Sequence, residues 1–316
     1  MRGWWQDLTD LVLPAECAGC GGPRTVLCPE CRAALSGAAP RRVRPVPEPP
    51  GLPVVHASAR YADEVRAVLL AHKERGALAL AGPLGVALAG AVRAGLREGP
   101  AGGAHGAGEG PAPVVSPSAG APVLLVPVPS APRAVRTRGH DPARRIALVA
   151  AGELRRARTP ARVLTVLRQR RAVADQSGLD ARQRLENMAG ALAVAPGGGR
   201  LLRDGGPVVL VDDLMTTGAS LTEAARAVRS AVAESGASSE RRTGGGTYRT
   251  ATTAVYPGAA WEGREERKAG ATEVRLNRAS AGRGMTDANG GGGMIRFAIG
   301  AAVVAASPDA FQINRN

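Results

Sequence analysis

Val208-Val209-Leu210-Val211-Asp212-Asp213-Leu214-Met215-Thr216-Thr217-Gly218-Ala219-Ser220 is the stretch around which the rest of the chain is arranged. A Gly-Gly-Pro breaker precedes it. Its four leading apolar residues, mostly β-branched, read as a short buried strand. Two carboxylates end the strand, and a turn of small and hydroxyl-bearing residues follows. From Leu221 the apolar spacing becomes helical: Leu221, Ala224, Ala225, Val228, Ala231 and Val232 share one face. Strand, tight turn and helix start make an anion site, because the first backbone N–H groups and the helix dipole point at a phosphate. Thr216, Thr217 and Ser220 add hydroxyl donors beside the Ala219 backbone, and Gly218 lets the chain come close. Asp212 and Asp213 have the wrong charge for phosphate but suit sugar hydroxyls or a magnesium ion. The combination asks for a sugar phosphate.

A second strand lies upstream. Residues 123–129, Val-Leu-Leu-Val-Pro-Val-Pro, run into Ser130, Arg133, Arg136, Arg138 and Gly139. A helix with Ile146, Val149, Ala150 and Leu154 inward follows. In an open parallel sheet, ligands sit outside the carboxyl ends of the strands. One hydroxyl-rich end and one Arg-rich end could hold the two phosphate groups of a single ligand. Arg133, Arg136 and Arg138 read equally as solvated surface. Further elements complete an α/β pattern: a strand at 54–60, a helix at 61–74 with Val65, Val68 and Leu69 inward, and an Ala-rich helical stretch at 77–96, interrupted near Gly82-Pro83. A short strand at 163–167, a helix at 180–192 with Arg184 and Asn187 on one face, and a closing Gly197-Gly-Gly199 come next. The helix at 221–235 stops at Gly236, a C-cap residue, and the final strand is expected at 297–306.

The chain has 316 residues, enough for a sizeable core. Aromatics make up only 3%, so that core must be built from Ala, Val and Leu. All four cysteines fall in Cys17-Ala-Gly-Cys20 and Cys28-Pro-Glu-Cys31. Two such knuckles match a tetrahedral structural zinc site with no open position; disulfides are the rival reading, disfavoured by a cytosolic chain and by the small loops they would close. Residues 1–13 read as an amphipathic segment, 14–36 as the four-cysteine knuckle, 37–53 as a Pro- and Arg-rich linker without regular structure, and 54–236 as the main domain with a flexible loop at 99–121. Residues 237–294 have no sustained apolar period and read as a low-complexity disordered insert or a non-native reading frame; 295–316 hold the last strand and tail. The net charge of +14 permits nucleic-acid or polyphosphate binding, and a basic surface with a basic insert accounts for it as well. The start lacks a secretory h-region, and the uncharged run 77–92 is shorter than the ~20 residues a membrane span needs. A cytoplasmic protein without a span is expected.

The string VVLVDDLMTTGAS resembles the phosphoribosyl diphosphate (PRPP) signature of type I phosphoribosyltransferases. With the Cys motif, YADEVRAVLLAHKERG, VPVPSAPRAVRTRGH and QSGLDARQRLENMAGA, the layout is similar to the ComF family of phosphoribosyltransferase-like competence proteins. The chain departs from that pattern where the usual Phe-Asn-Gln after Arg-Gly is His140-Asp141-Pro142, and in its tail. The resemblance implies a type I phosphoribosyltransferase-like parallel sheet flanked by helices, behind a small zinc knuckle of four cysteines. By it, Asp212 and Asp213 bind the ribose hydroxyls and carry the chemistry, and residues 216–220 bind the 5′-phosphate. Residues 127–133, including Pro129, Ser130 and Arg133, face pyrophosphate with Mg²⁺ bridging it, and Lys73 and Arg138 are further candidates. The readings that follow are a Mg²⁺-dependent phosphoribosyltransferase linked to DNA uptake, an accessory protein of the competence machinery binding single-stranded DNA, or a PRPP-sensing regulator without turnover.

Overall fold

The computed structural model describes residues 16–98, 121–173, 178–243 and 299–312. The amphipathic segment 1–13, nearly all of the loop 99–121, Gln176-Ser177 and most of 237–294 lie outside the described residues.

Six strands form one mixed sheet in the order β1-β2-β8-β7-β3-β4: β1 (Arg41–Val43), β2 (Val54–Arg60), β3 (Val123–Pro127), β4 (Ala161–Val163), β7 (Val208–Met215) and β8 (Ile299–Ala306). All neighbours are parallel except β1, which runs antiparallel to β2. A two-stranded antiparallel ribbon, β5 (Leu167–Gln169) with β6 (Leu192–Val194), stands apart. Strand alternation divides the core. Val209 and Val211 of β7 join Leu125 and Val304 on one face with helices α2 (Asp63–Glu74), α3 (Ala81–Glu98) and α5 (Pro142–Arg156); α1 (Pro29–Ser36) lies at its edge. Val208 and Leu210 join Leu124 and Val303 on the other, with α7 (Gly198–Asp204) and α8 (Ala219–Thr243). Alanines fill much of both layers, as the scarcity of aromatics demands.

The two helical layers fix where a ligand can sit. After β3 the chain passes through α4 (Pro132–Arg138) and α5 on one face to reach β4. After β7 it crosses the other face in α8 and returns to β8 on the opposite side. The winding therefore reverses between β3 and β7, and the crevice at their carboxyl ends is a topological switch point.

Several expectations shift. The strand expected at 163–167 is two strands, β4 and β5, joined by a turn that lets β5 leave the sheet. The helix expected over 180–192 is α6 (Ala181–Met188), opened by a capping box of Asp180 and Gln183; past its end at Met188, Gly190, at φ +68°, turns the chain into β6. Gly197-Gly-Gly199 opens α7 rather than a loop, because a Cβ at Gly199 would lie 2.3 Å from the Ala231 carbonyl oxygen of α8. Gly199 is there for helix contact, Gly198 for close approach to Val194, whose Cγ1 a Cβ would meet at 2.6 Å, and Gly197 for its φ of +79°. Helix α8 continues through Gly236 to Thr243, since a helix tolerates one glycine at about 1 kcal/mol. The connector 37–53 is not free of structure. It contributes β1, and Pro45, Pro49 and Pro53 are buried. Pro83 falls in the first turn of α3 and does not interrupt it. Leu78–Glu98 is long and apolar enough to cross a membrane by length and composition, with half of its most apolar window buried in the protein.

Candidate functional site

The crevice is built from the carboxyl ends of β3 and β7 and the far end of α2. Along β7 successive side chains point to opposite faces, so Asp212 and Asp213 part company. Asp213 follows the α2 face and meets Lys73, whose Nζ is 3.1 Å from Oδ2 and 3.5 Å from Oδ1. Its side chain is 7% exposed, and the pair is the one strong charge contact at the strand end among the described residues. Asp213 holds the Lys73 ammonium above its ordinary pKa, against the effect of burial. Asp212 turns to the α8 side, where a small cavity opens against Thr216, Thr217 and Ser220. Burial first, then the neighbouring Asp213 charge, push the Asp212 carboxyl well above the usual carboxylate range, although Lys73 pulls it down. Its Oδ1 accepts the Asp213 N–H at 2.8 Å.

The turn itself is held tightly. Gly218 has φ +78°, a region that disfavours other residues, and a Cβ there would approach Leu52 Cδ1 to 3.0 Å. The connector thus lies against the turn, a contact sequence reading did not anticipate. Thr216 is exposed, Thr217 and Ser220 half-buried, and Gly218 and Ala219 buried at the start of α8.

On the β3 side, the Val128 N–H donates to the Val211 carbonyl, so Pro129 and Ser130 leave the sheet beside the two aspartates. The Ser130 N–H is already engaged: it donates to Asp141 Oδ2 at 3.1 Å, while Asp141 Oδ1 caps α5 by accepting the Arg144 N–H at 3.1 Å. Residues 132–138, the Arg-rich segment after the strand, form the short helix α4. Arg133 on it is exposed, and Arg138 turns back to Glu74 of α2 with Nε 3.4 Å from Oε2. Lys73 and Arg138 therefore join the crevice through α2, whereas Arg133 stands on an exposed helix face. His140 was visible only as a departure from a family pattern. Its Nε2 lies 3.2 Å from the His72 carbonyl oxygen and its Nδ1 3.2 Å from that of Arg138. The Asp-Pro pair at 141–142 is a helix-start signal that could have located the α5 cap.

The four cysteines form a second site. Their sulfurs lie within 4.8 Å of one another, none is in a disulfide, and Cys20 and Cys28 Sγ are 3.6 Å apart. The edge of a tetrahedron with metal–sulfur bonds near 2.3 Å is about 3.8 Å, so the spacing fits a tetrahedral ion. The Cys28 N–H donates to Cys17 Sγ, and the Cys31 N–H to Cys28 Sγ. Burial opposes ionisation of Cys17, but N–H groups from Cys28, Cys20 and Gly19 outweigh it and bring the thiol to about 6. Cys17, Leu27, Cys31 and Leu35 pack into the same core as Val65, Val68 and Leu69 of α2. The knuckle thus braces the helix whose other end carries Lys73.

No protein-family model matches the chain, and no curated protein matches it, so the chemistry of the crevice rests on its own residues.

Proposed function

We propose that the chain is a ComF-like, type I phosphoribosyltransferase-fold protein that binds PRPP, as its magnesium complex, between β3 and β7. One observation carries the reading: a topological switch point bears a pair of carboxylates directly ahead of a hydroxyl-rich helix start. In this reading residues 216–220 receive the 5′-phosphate with their N–H groups and hydroxyls, and Asp212 and Asp213 accept hydrogen bonds from the ribose hydroxyls. Lys73 and the residues from Pro129 to Arg133 face the diphosphate. An acceptor attacks C1′ as the bond to pyrophosphate breaks, and the developing positive charge at C1′ is stabilised by the nearby carboxylates. The four cysteines hold a structural zinc ion, which would supply a cross-link for the N-terminal knuckle. Calorimetry with Mg²⁺–PRPP tests the proposal. Wild type should bind, and Asp213→Asn should bind at least about tenfold more weakly, the loss of a charge-assisted hydrogen bond. Absence of binding by wild type rejects it. Pyrophosphate release against a panel of bases and amines then separates an enzyme from a sensor.

A further inference from the structure

Where α3 and α5 run out toward the amino ends of the strands, the surface opens into a cleft of about 760 Å³. Gly90, Arg93, Arg97 and Glu98 of α3 line it together with Pro40 and Thr159, and the rest of its lining is aliphatic. The cleft is remote from the crevice. Helix α3 has 18 residues, about 27 Å at 1.5 Å per residue, and it starts just past the Lys73 end of α2. The charges in the cleft are unbalanced. His56 of β2 is 2% exposed, and its Nε2 lies 2.8 Å from Oε2 of Glu98, so the carboxylate in the lining is engaged with the sheet. Gly95 permits this contact, since a Cβ there would lie 3.1 Å from His56 Nδ1. Arg42 of β1 stands opposite His56 in the antiparallel pair and so points to the same face of the sheet. Its Nε is buried without a partner. Arg42 and Arg93 are half-buried, Arg97 is exposed, and none of the three pairs with an acidic side chain among the described residues.

Arg97, in the last turn of α3, complements the carboxyl end of its own helix. That account does not extend to Arg93, more than a turn from the end, or to Arg42, on another element. We propose that this cleft binds a small phosphorylated molecule with an apolar body: Arg93 and Arg97 take the phosphate, with Arg42 behind them, and the body lies on the aliphatic wall. Guanidinium groups grip phosphate through paired N–H donors, which suits a site lined by arginine. Unneutralised cations gathered in one place gain most from a multiply charged anion. Glu98 does not compete for them, because His56 holds it. The volume falls in the range of small-molecule sites, roughly 300–1,000 Å³. Nothing in the proposal depends on the PRPP reading of the crevice.

Phenyl phosphate is the probe, because it joins a phosphate monoester to an apolar ring and lacks the ribose that the crevice is proposed to read. The full chain, labelled with ¹⁵N, is titrated into the millimolar range and followed by amide spectra. Shifts should concentrate in residues 90–98 and in β1. Phenol, which lacks the anion, and inorganic phosphate, which lacks the body, should each bind at least about tenfold more weakly. Benzoate should also be weaker, and benzoate binding as tightly as phenyl phosphate overturns the assignment of a phosphorylated ligand. The double variant Arg93→Gln/Arg97→Gln should lose at least about tenfold in affinity, and Arg42→Gln about threefold, while Asp213→Asn leaves it unchanged. If the double variant does not fold, Arg97→Gln alone, at an exposed position, should still weaken binding about threefold. Absence of shifts at residues 90–98, shifts confined to residues 216–220, or full affinity in the arginine variants overturns the site. A wild type that binds phenyl phosphate in the cleft but no PRPP rejects the crevice reading and leaves this one standing.

Discussion

At Asp212 folding and function oppose each other. Its raised pKa means that the folded protein disfavours the charged carboxylate. The sign follows by linkage: the destabilisation is absent below the unfolded carboxyl pKa and grows as pH rises toward the folded value. Asp212→Asn keeps an oxygen for the Asp213 N–H and removes the charge. Thermal unfolding at pH 7 should show a Tm higher by about 2–4 °C, the shift for roughly 1 kcal/mol in a domain of this size, while PRPP affinity falls. Lys73 behaves in the opposite sense. Its pairing with Asp213 is fully present below the ordinary lysine pKa and is lost as pH rises through the raised value. Lys73→Met should cost about 1–3 kcal/mol in denaturant titration, discounted because a third of the lysine side chain is exposed, and adding Asp213→Asn should recover much of it. The aspartates and the turn were legible in sequence because strand period, dipole and hydroxyls are local properties. The different partners of Asp212 and Asp213 followed only once the faces of β7 were known. The His140–His72 contact, between residues far apart in sequence, had no local signature.

Helices and knuckle set the stability of the crevice. Where α3 crosses α5, a Cβ on Gly85 would sit 2.4 Å from Val149 Cγ1, so the helices meet at closest approach there. Gly85→Ala should cost about 1–3 kcal/mol in chemical denaturation despite its better helix propensity. A propensity-driven substitution would lower Tm by the same route. Metal removal should act on another element. If the four cysteines hold zinc as proposed, chelation should unfold the Cys17–Cys31 knuckle, lower Tm, and weaken PRPP binding indirectly, through α2, which the knuckle braces; metal analysis and circular dichroism follow the first step. The gathering of the four cysteines was readable from spacing, since two Cys-x-x-Cys steps within 15 residues bring their thiols to one place; the structure adds that none of them is in a disulfide. The β5–β6 ribbon was not, because three-residue strands carry no period; Leu167 falls in the strand expected at 163–167 and Leu192 in the helix expected at 180–192. Glu223 of α8 explains their placement: it is buried, accepts the Leu192 N–H at 3.1 Å and pairs with Arg226. Its bond to Leu192 follows from docking, whereas Arg226 is its neighbour one turn along the helix.

Across the whole molecule, the alternation of strand and helix predicted an α/β sheet, and a mixed, mostly parallel sheet flanked by helices is what the chain forms. Strand order was not legible, because nothing in an Ala-rich segment such as Ile299–Ala306 says that it belongs at the centre. That position matters for how the protein is made. β8 pairs with both β2 and β7, yet it follows them in sequence by a long interval. During synthesis, at about 5–20 residues per second, β7 waits roughly five to twenty seconds for its central neighbour to be made, and β2 waits longer. Throughout that interval two unpaired strand edges are open to intermolecular association. A chain stopped after Thr243 should therefore sediment as aggregate on expression rather than persist as a folded fragment, even though every residue of the crevice is present. Shielding of these two strand edges by a holdase chaperone during synthesis should therefore raise the yield of folded chain, a dependence the stability of the finished fold does not set.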